Sequence, residues 1–170
     1  MMNTFHRVAN ALFIFVLCGV LLAAYGYQLI EHEAPCPLCL LQRLGMVGIA
    51  VALLMNLRIG VRIEHYGLAI LSALVGPLSS MRQIALHVCP QFPAHGVPVL
   101  GHNLYVWALV VFICSLFACA VLLILYGYSN HREYHPAWRA LEKGAFLAAI
   151  LITLANVITT LLQCGFSICA

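Results

Sequence analysis

The stretch Pro35-Cys36-Pro37-Leu38-Cys39-Leu40-Leu41-Gln42-Arg43 decides the reading of this chain. A long apolar run precedes it and another begins within it, so the two cysteines fall at a membrane border. Cysteines with two residues between them close a small, reducible disulfide, and their reactivity depends on local charge. The flanking prolines stiffen the loop and stop a helix from continuing through it. Cys39 lies at or near the start of the next helix, where amide donors and the helix dipole favour a thiolate. Arg43 follows Cys39 by four residues and shares its helix face.

Outward from that stretch, the chain is almost wholly apolar. Its 170 residues are 64% hydrophobic and 8% charged, with a mean hydropathy of +1.02. A soluble domain carries roughly 25% charged residues. The expected fold is all-α: a single polytopic membrane bundle with a four-helix core and a fifth transmembrane helix. The expected spans are residues 8–30, 40–57, 66–86, 104–126 and 144–163, each long enough to cross a hydrocarbon core of about 30 Å at about 1.5 Å per residue. The first run is too long for the core of a cleaved signal peptide and reads as a retained anchor. Pro77 is expected to kink the third span, and Tyr105 and Trp107 sit where interfacial anchors belong. Residues 87–103 form a Pro- and Gly-rich loop. The formal charge of +3 is small and scattered, which excludes nucleic acid as a partner.

Positive charge sets the expected orientation. Arg7, Arg58, Arg62, Arg132, Arg139 and Lys143 fall on one side of a five-span chain, whereas Arg43 and Arg82 lie near the other. The positive-inside rule puts the N-terminus in the cytoplasm. The cysteine-pair loop, the Pro/Gly loop and the C-terminal tail then face outward, into the periplasm of a bacterial inner membrane.

Arg43 would sit one turn into the membrane, where arginine must snorkel, pair or serve a ligand. Its sharper role is to polarise a carbonyl oxygen of a bound lipid-soluble oxidant. Arg82 and Gln83 lie at a similar depth on the third span and could build a polar notch with Arg43, capped by His87. Zinc at Cys36 and Cys39 would need His32, His87 or Cys89, and no second ligand pair has structural-zinc spacing, so no metal is expected. Cys18, Cys114 and Cys119 lie inside apolar spans and read as small core hydrophobes. Asn156, Thr153 and Ser115 are the few mid-span polar residues and look ordinary. His131 and His135 belong to a polar connection.

Cys36-Pro37-Leu38-Cys39-Leu40-Leu41-Gln42-Arg43 after a first transmembrane helix resembles the bacterial disulfide bond formation protein B (DsbB) family, over roughly residues 8–90 and more loosely to 127. The resemblance implies a quinone-dependent thiol oxidase on a transmembrane four-helix bundle, which reoxidises a periplasmic thioredoxin-like dithiol partner. It makes Cys36 and Cys39 the redox pair, Cys39 the cysteine that meets the quinone, and Arg43 the quinone-site arginine, with ubiquinone or menaquinone as electron acceptor. The family's second cysteine pair is missing: the long loop offers only Cys89. The fifth span carries Cys164 and Cys169 to the outer face, where they are candidates to substitute for that pair; the alternatives are an incidental pair, or one of them pairing with Cys89. Two rivals stand beside this reading. One is a quinone reductase resembling vitamin K epoxide reductase. The other is a non-enzymatic membrane subunit or transporter with structural cysteines.

Overall fold

The structure is a computed structural model that describes residues 2–30, 36–88, 99, 101–128 and 140–164. Among the described residues there are five helices: α1 (Met2–Ile30), α2 (Pro37–Arg58), α3 (Ile63–Val88), α4 (Leu104–Gly127) and α5 (Ala140–Cys164). All five are long and apolar enough to cross a membrane. The chain is an all-α polytopic helical bundle.

All five helices begin or end further out than the apolar runs alone suggest, and at the starts of α1 and α5 this is because polar residues at the run ends find partners inside the bundle. His6 and Arg7 were expected to precede the first span, but both belong to α1. His6 is buried, and its Nδ1 lies 3.3 Å from the Tyr66 hydroxyl. Arg7 Nε donates to Glu142 Oε1 at 2.6 Å, and its Nη2 pairs with the other carboxylate oxygen. Glu142, expected in a polar connection, is therefore in the first turn of α5 and buried. A buried polar group without such a partner would cost several kcal/mol in hydrocarbon.

Successive helices from α1 to α4 pack side by side, and α5 packs on α1 and α2. The turn between α2 and α3 is closed by buried Asn56, whose Oδ1 accepts from the Arg62 backbone N–H (3.1 Å) and from His65 Nδ1 (2.9 Å). Gly60 supplies the positive φ (118°) that this turn requires. Ile14, Leu17, Leu21, Ile49, Leu53, Tyr66 and Phe112 make the best-buried part of the core. The Phe112 ring of α4 fills a slot between α2 and α3. A Cβ on Gly76 would lie 2.1 Å from that ring, so only hydrogen there admits it, and one on Gly45 would lie 3.2 Å from it, a tight contact.

α1 and α4 meet at the end away from the cysteine pair, where the His6 ring stands edge-on to Tyr126 with centroids 6.0 Å apart. Towards the other end they part, leaving a cavity between α1, α2 and α4. α5 runs parallel to α1: its Glu142 meets Arg7 at the start of α1, and its Asn156 meets Tyr25 near the end.

Several expectations change here. Pro37 does not hold the chain out of a helix; it opens α2, at a position where its missing N–H costs nothing. Tyr105 is buried, and its hydroxyl accepts from Asn103 Nδ2 at 2.6 Å, so it faces inward rather than anchoring the interface. Trp107 lines the cavity, with its indole N–H donating to the Val99 carbonyl at 3.0 Å. Cys18 and Cys119 are buried as expected, but Cys114 is exposed on the outer face of α4.

Candidate functional site

Cys36 is the N-cap of α2, with extended backbone (φ −74°, ψ 150°), and is joined to Cys39 in a disulfide with Cα atoms 5.1 Å apart. The three-residue separation puts both cysteines on the opening turn. The Cys39 backbone N–H donates to Cys36 Sγ at 3.0 Å, and the Leu40 N–H donates to the Cys36 carbonyl at 3.1 Å. The Cys39 amide is one of those that a helix start leaves without an intrahelical partner, and the Leu40 bond is the first of the helix. The expectation gave this stabilisation to Cys39; the geometry gives the hydrogen bond to the sulfur of Cys36. Negative charge forming on Cys36 as the disulfide opens meets the positive end of α2.

α3 supplies the next contact. Gln83 is buried, and its Nε2 lies 3.5 Å from Cys36 Sγ and 3.6 Å from Cys39 Sγ. Its amide is turned that way by Gln42 of α2, whose Nε2 donates to Gln83 Oε1 at 3.0 Å. The sequence placed Arg82 and Gln83 together in one notch; the structure separates them. One residue along a helix is a rotation of about 100°, and Arg82 is exposed and does not line the cavity. His87 lies in the last turn of α3, but its side chain falls outside the described residues. So do the side chain of Cys164 and the whole of Cys89 and Cys169.

Arg43 is buried, 8% exposed, one turn below Cys39. Its Nη2 donates to Gln28 Oε1, and its guanidinium carbon stands 4.5 Å from the centroid of the Tyr25 ring. Both partners come from α1 and are themselves buried. An arginine held on an aromatic face and a carboxamide has a fixed fork of donors and does not need to snorkel.

The cavity has a volume of about 400 Å³. Cys39, Gln42, Arg43 and Met46 form its α2 wall. Val20, Ala23, Ala24 and Tyr27 face them from α1, and Trp107, Ala108 and Val111 from α4. Its size and mostly apolar walls, with a few convergent polar groups, are those of a small-molecule site. Cys39 and Arg43 share it, as the four-residue spacing predicted.

A membrane bundle with a dithiol–disulfide pair capping one helix, opening on an apolar cavity that holds an arginine, is a polytopic thiol–disulfide oxidoreductase by class. The family model described as Disulfide bond formation protein DsbB matches residues 6–123. That is more than half of the chain, and the chain belongs to the DsbB family, whose members act in disulfide-bond formation at the membrane. No curated protein and no solved structure matches it. The matched segment contains the disulfide, Gln83, Arg43 and every residue lining the cavity, and it stops before α5.

Proposed function

We propose that this protein reoxidises a periplasmic thioredoxin-like dithiol and delivers the electrons through Cys36 and Cys39 to a membrane quinone. The observation that carries the reading is that Cys39 and Arg43 face one apolar cavity of about 400 Å³. A cavity of that size accepts a quinone ring, its apolar walls suit the ring face, and Arg43 and Gln42 are the donors for a ring carbonyl oxygen.

The thiol chemistry balances as follows. A thiolate of the reduced partner attacks an outward disulfide, for which Cys164 and Cys169 are the candidate pair; one S–S bond breaks, a mixed disulfide forms and one cysteine leaves as thiolate. The partner's second thiol closes the partner's own disulfide and leaves the outward pair reduced; that pair then reduces the Cys36–Cys39 bond by the same two exchanges and is itself reoxidised. When bound, a quinone supplies the sink for the two electrons and two protons released as the Cys36–Cys39 bond reforms. The chain's own work is positional. The α2 amides and Gln83 steady charge on sulfur, Arg43 orients the acceptor, and the apolar walls keep water from the cavity.

Orientation follows the same reading. Arg7, Arg58, Arg62 and Lys143 lie at the end of the bundle opposite the disulfide, which supports a cytoplasmic N-terminus and a periplasmic redox end in a bacterial inner membrane. Because α5 runs parallel to α1, its last residue, Cys164, belongs to the disulfide end. That placement supports Cys164 and Cys169 as the pair through which partner electrons enter.

The test uses full-length protein in lipid nanodiscs with a reduced thioredoxin-like protein and, separately, ubiquinone and menaquinone. Quinone consumption matched one-to-one by partner disulfide is the expected result. Cys169→Ala is expected to trap the partner as a mixed disulfide. Partner oxidation that proceeds unchanged in the Cys36→Ser variant would remove the proposal.

A further inference from the structure

α5 lies wholly outside the family-matched segment, yet it reaches the site. Asn156 Oδ1 accepts a hydrogen bond from the Tyr25 hydroxyl. Thr159 Oγ1 lies 3.5 Å from the same hydroxyl, and its one proton goes to the Ala155 carbonyl at 2.7 Å. The Tyr25 ring carries the Arg43 guanidinium on its face at 4.5 Å, and Arg43 lines the cavity. Tyr25 is 6% exposed and Asn156 is half-buried. The other polar side chains in the middle of α4 and α5 do something different: Ser115 and Thr153 bond back to carbonyls of their own helices.

We infer that Asn156 is a positioning residue for the redox site, acting through Tyr25 to set the guanidinium of Arg43 at the cavity wall. The inference rests on the quinone reading and adds to it a residue on a helix that the family pattern does not include. Two physical effects support it. The hydrogen bond pins the phenol at its far end, so the ring under Arg43 keeps one orientation. A phenol that donates to a carboxamide is also more electron-rich, which strengthens its attraction for a cation in a site shielded from water. Without Asn156, the Tyr25 hydroxyl would have to turn towards another acceptor, because a bare hydroxyl is costly in hydrocarbon. The ring, and with it Arg43, would follow.

The test reads equilibrium binding as well as turnover. Full-length protein in nanodiscs carries Trp138→Phe, so that quenching of Trp107, which lines the cavity, reports binding of a short-tailed ubiquinone. Asn156→Leu is expected to raise both the Kd and the quinone KM on the order of three- to tenfold, with kcat at saturating quinone close to wild type. Asn156→Gln restores binding. Tyr25→Phe gives the same loss, and adding Asn156→Leu to it gives no further loss, as required if the two act in series. Glu142→Gln, which loosens α5 at its other end, lowers thermal stability and leaves the Kd unchanged. An unchanged Kd in Asn156→Leu overturns the inference, and so does an equal loss in Glu142→Gln, which would make general packing of α5 the cause. Wild-type protein that binds no quinone overturns the quinone reading, and this inference with it.

Discussion

Gln42 aims Gln83: its Nε2 donates to the Gln83 carbonyl oxygen at 3.0 Å, which turns the Gln83 nitrogen toward Cys36 Sγ at 3.5 Å and Cys39 Sγ at 3.6 Å. An N–H aimed at sulfur favours the thiolate over the disulfide, because the donor gains most when the sulfur is charged. Gln83→Leu keeps the volume and removes the donor. The reduced pair is then less stable, and the reduction potential moves to more negative values by about 20 mV, for a loss of about 1 kcal/mol. Equilibration of the variant against a glutathione series checks the sign. Gln42→Leu, which frees Gln83 to rotate, is expected to shift it in the same direction by a smaller amount.

Arg43 stacks on Tyr25 and donates to Gln28. A lysine at this position keeps the charge but loses the planar fork and the stacking surface. Arg43→Lys is expected to weaken quinone binding about ten- to hundredfold, the range for losing one charge-assisted hydrogen bond in a site shielded from water. Exchange with the dithiol partner in a single turnover, which needs no quinone, should keep its rate. A variant that lost both equally would place Arg43 in the support of the disulfide instead.

Ala24 lines the same cavity as Arg43, from α1. Its small side chain leaves space where a larger one would project. Ala24→Phe should block the cavity and raise the quinone KM at least tenfold. It should leave the Cys36–Cys39 disulfide reducible by dithiothreitol, since no contact to the sulfurs changes. Measuring the two rates on one preparation separates loss of the cavity from loss of fold.

Gly76 leaves no room for a methyl group, since a Cβ there would lie 2.1 Å from the Phe112 ring. Gly76→Ala forces the ring or the helix to move, an overpacking cost of about 1–3 kcal/mol. The expected readout is a lower melting temperature in detergent. Phe112→Leu, destabilising by itself, should recover part of that loss when combined with Gly76→Ala, because the smaller side chain vacates the slot.

The spans and the site were not equally legible in the sequence. Five apolar runs gave five helices, because a chain this poor in charge has few other ways to satisfy its backbone in a membrane. The spacing of Cys39 and Arg43 put both on the cavity. Their polar supports were harder to find. Tyr25 and Gln28 are one turn apart at the end of α1, a spacing that puts them on one face, but residues at a run end also read as interfacial. Asn156 looked ordinary because its partner lies 131 residues away. The outward-facing Cys114 and inward-facing Cys119 could not be told apart, since α4 is apolar on every side and its sequence does not say which face meets the bundle. The choice between Arg82 and Gln83 depends on the rotation of α3 about its axis, which one residue's error reverses.

The ring of Phe112 has a wider consequence. Val111, next to it in α4, and Ala108, one turn earlier, are part of the cavity wall, while the ring itself is lodged in the slot at Gly76 on α3. The gap between α4 and its neighbours is thus gauged by a lock at the rear of the helix, away from anything the cavity holds. Widening or narrowing that lock would move the front wall as a unit. Related chains could in this way be tuned to acceptors of different girth by exchanging residues that never touch them.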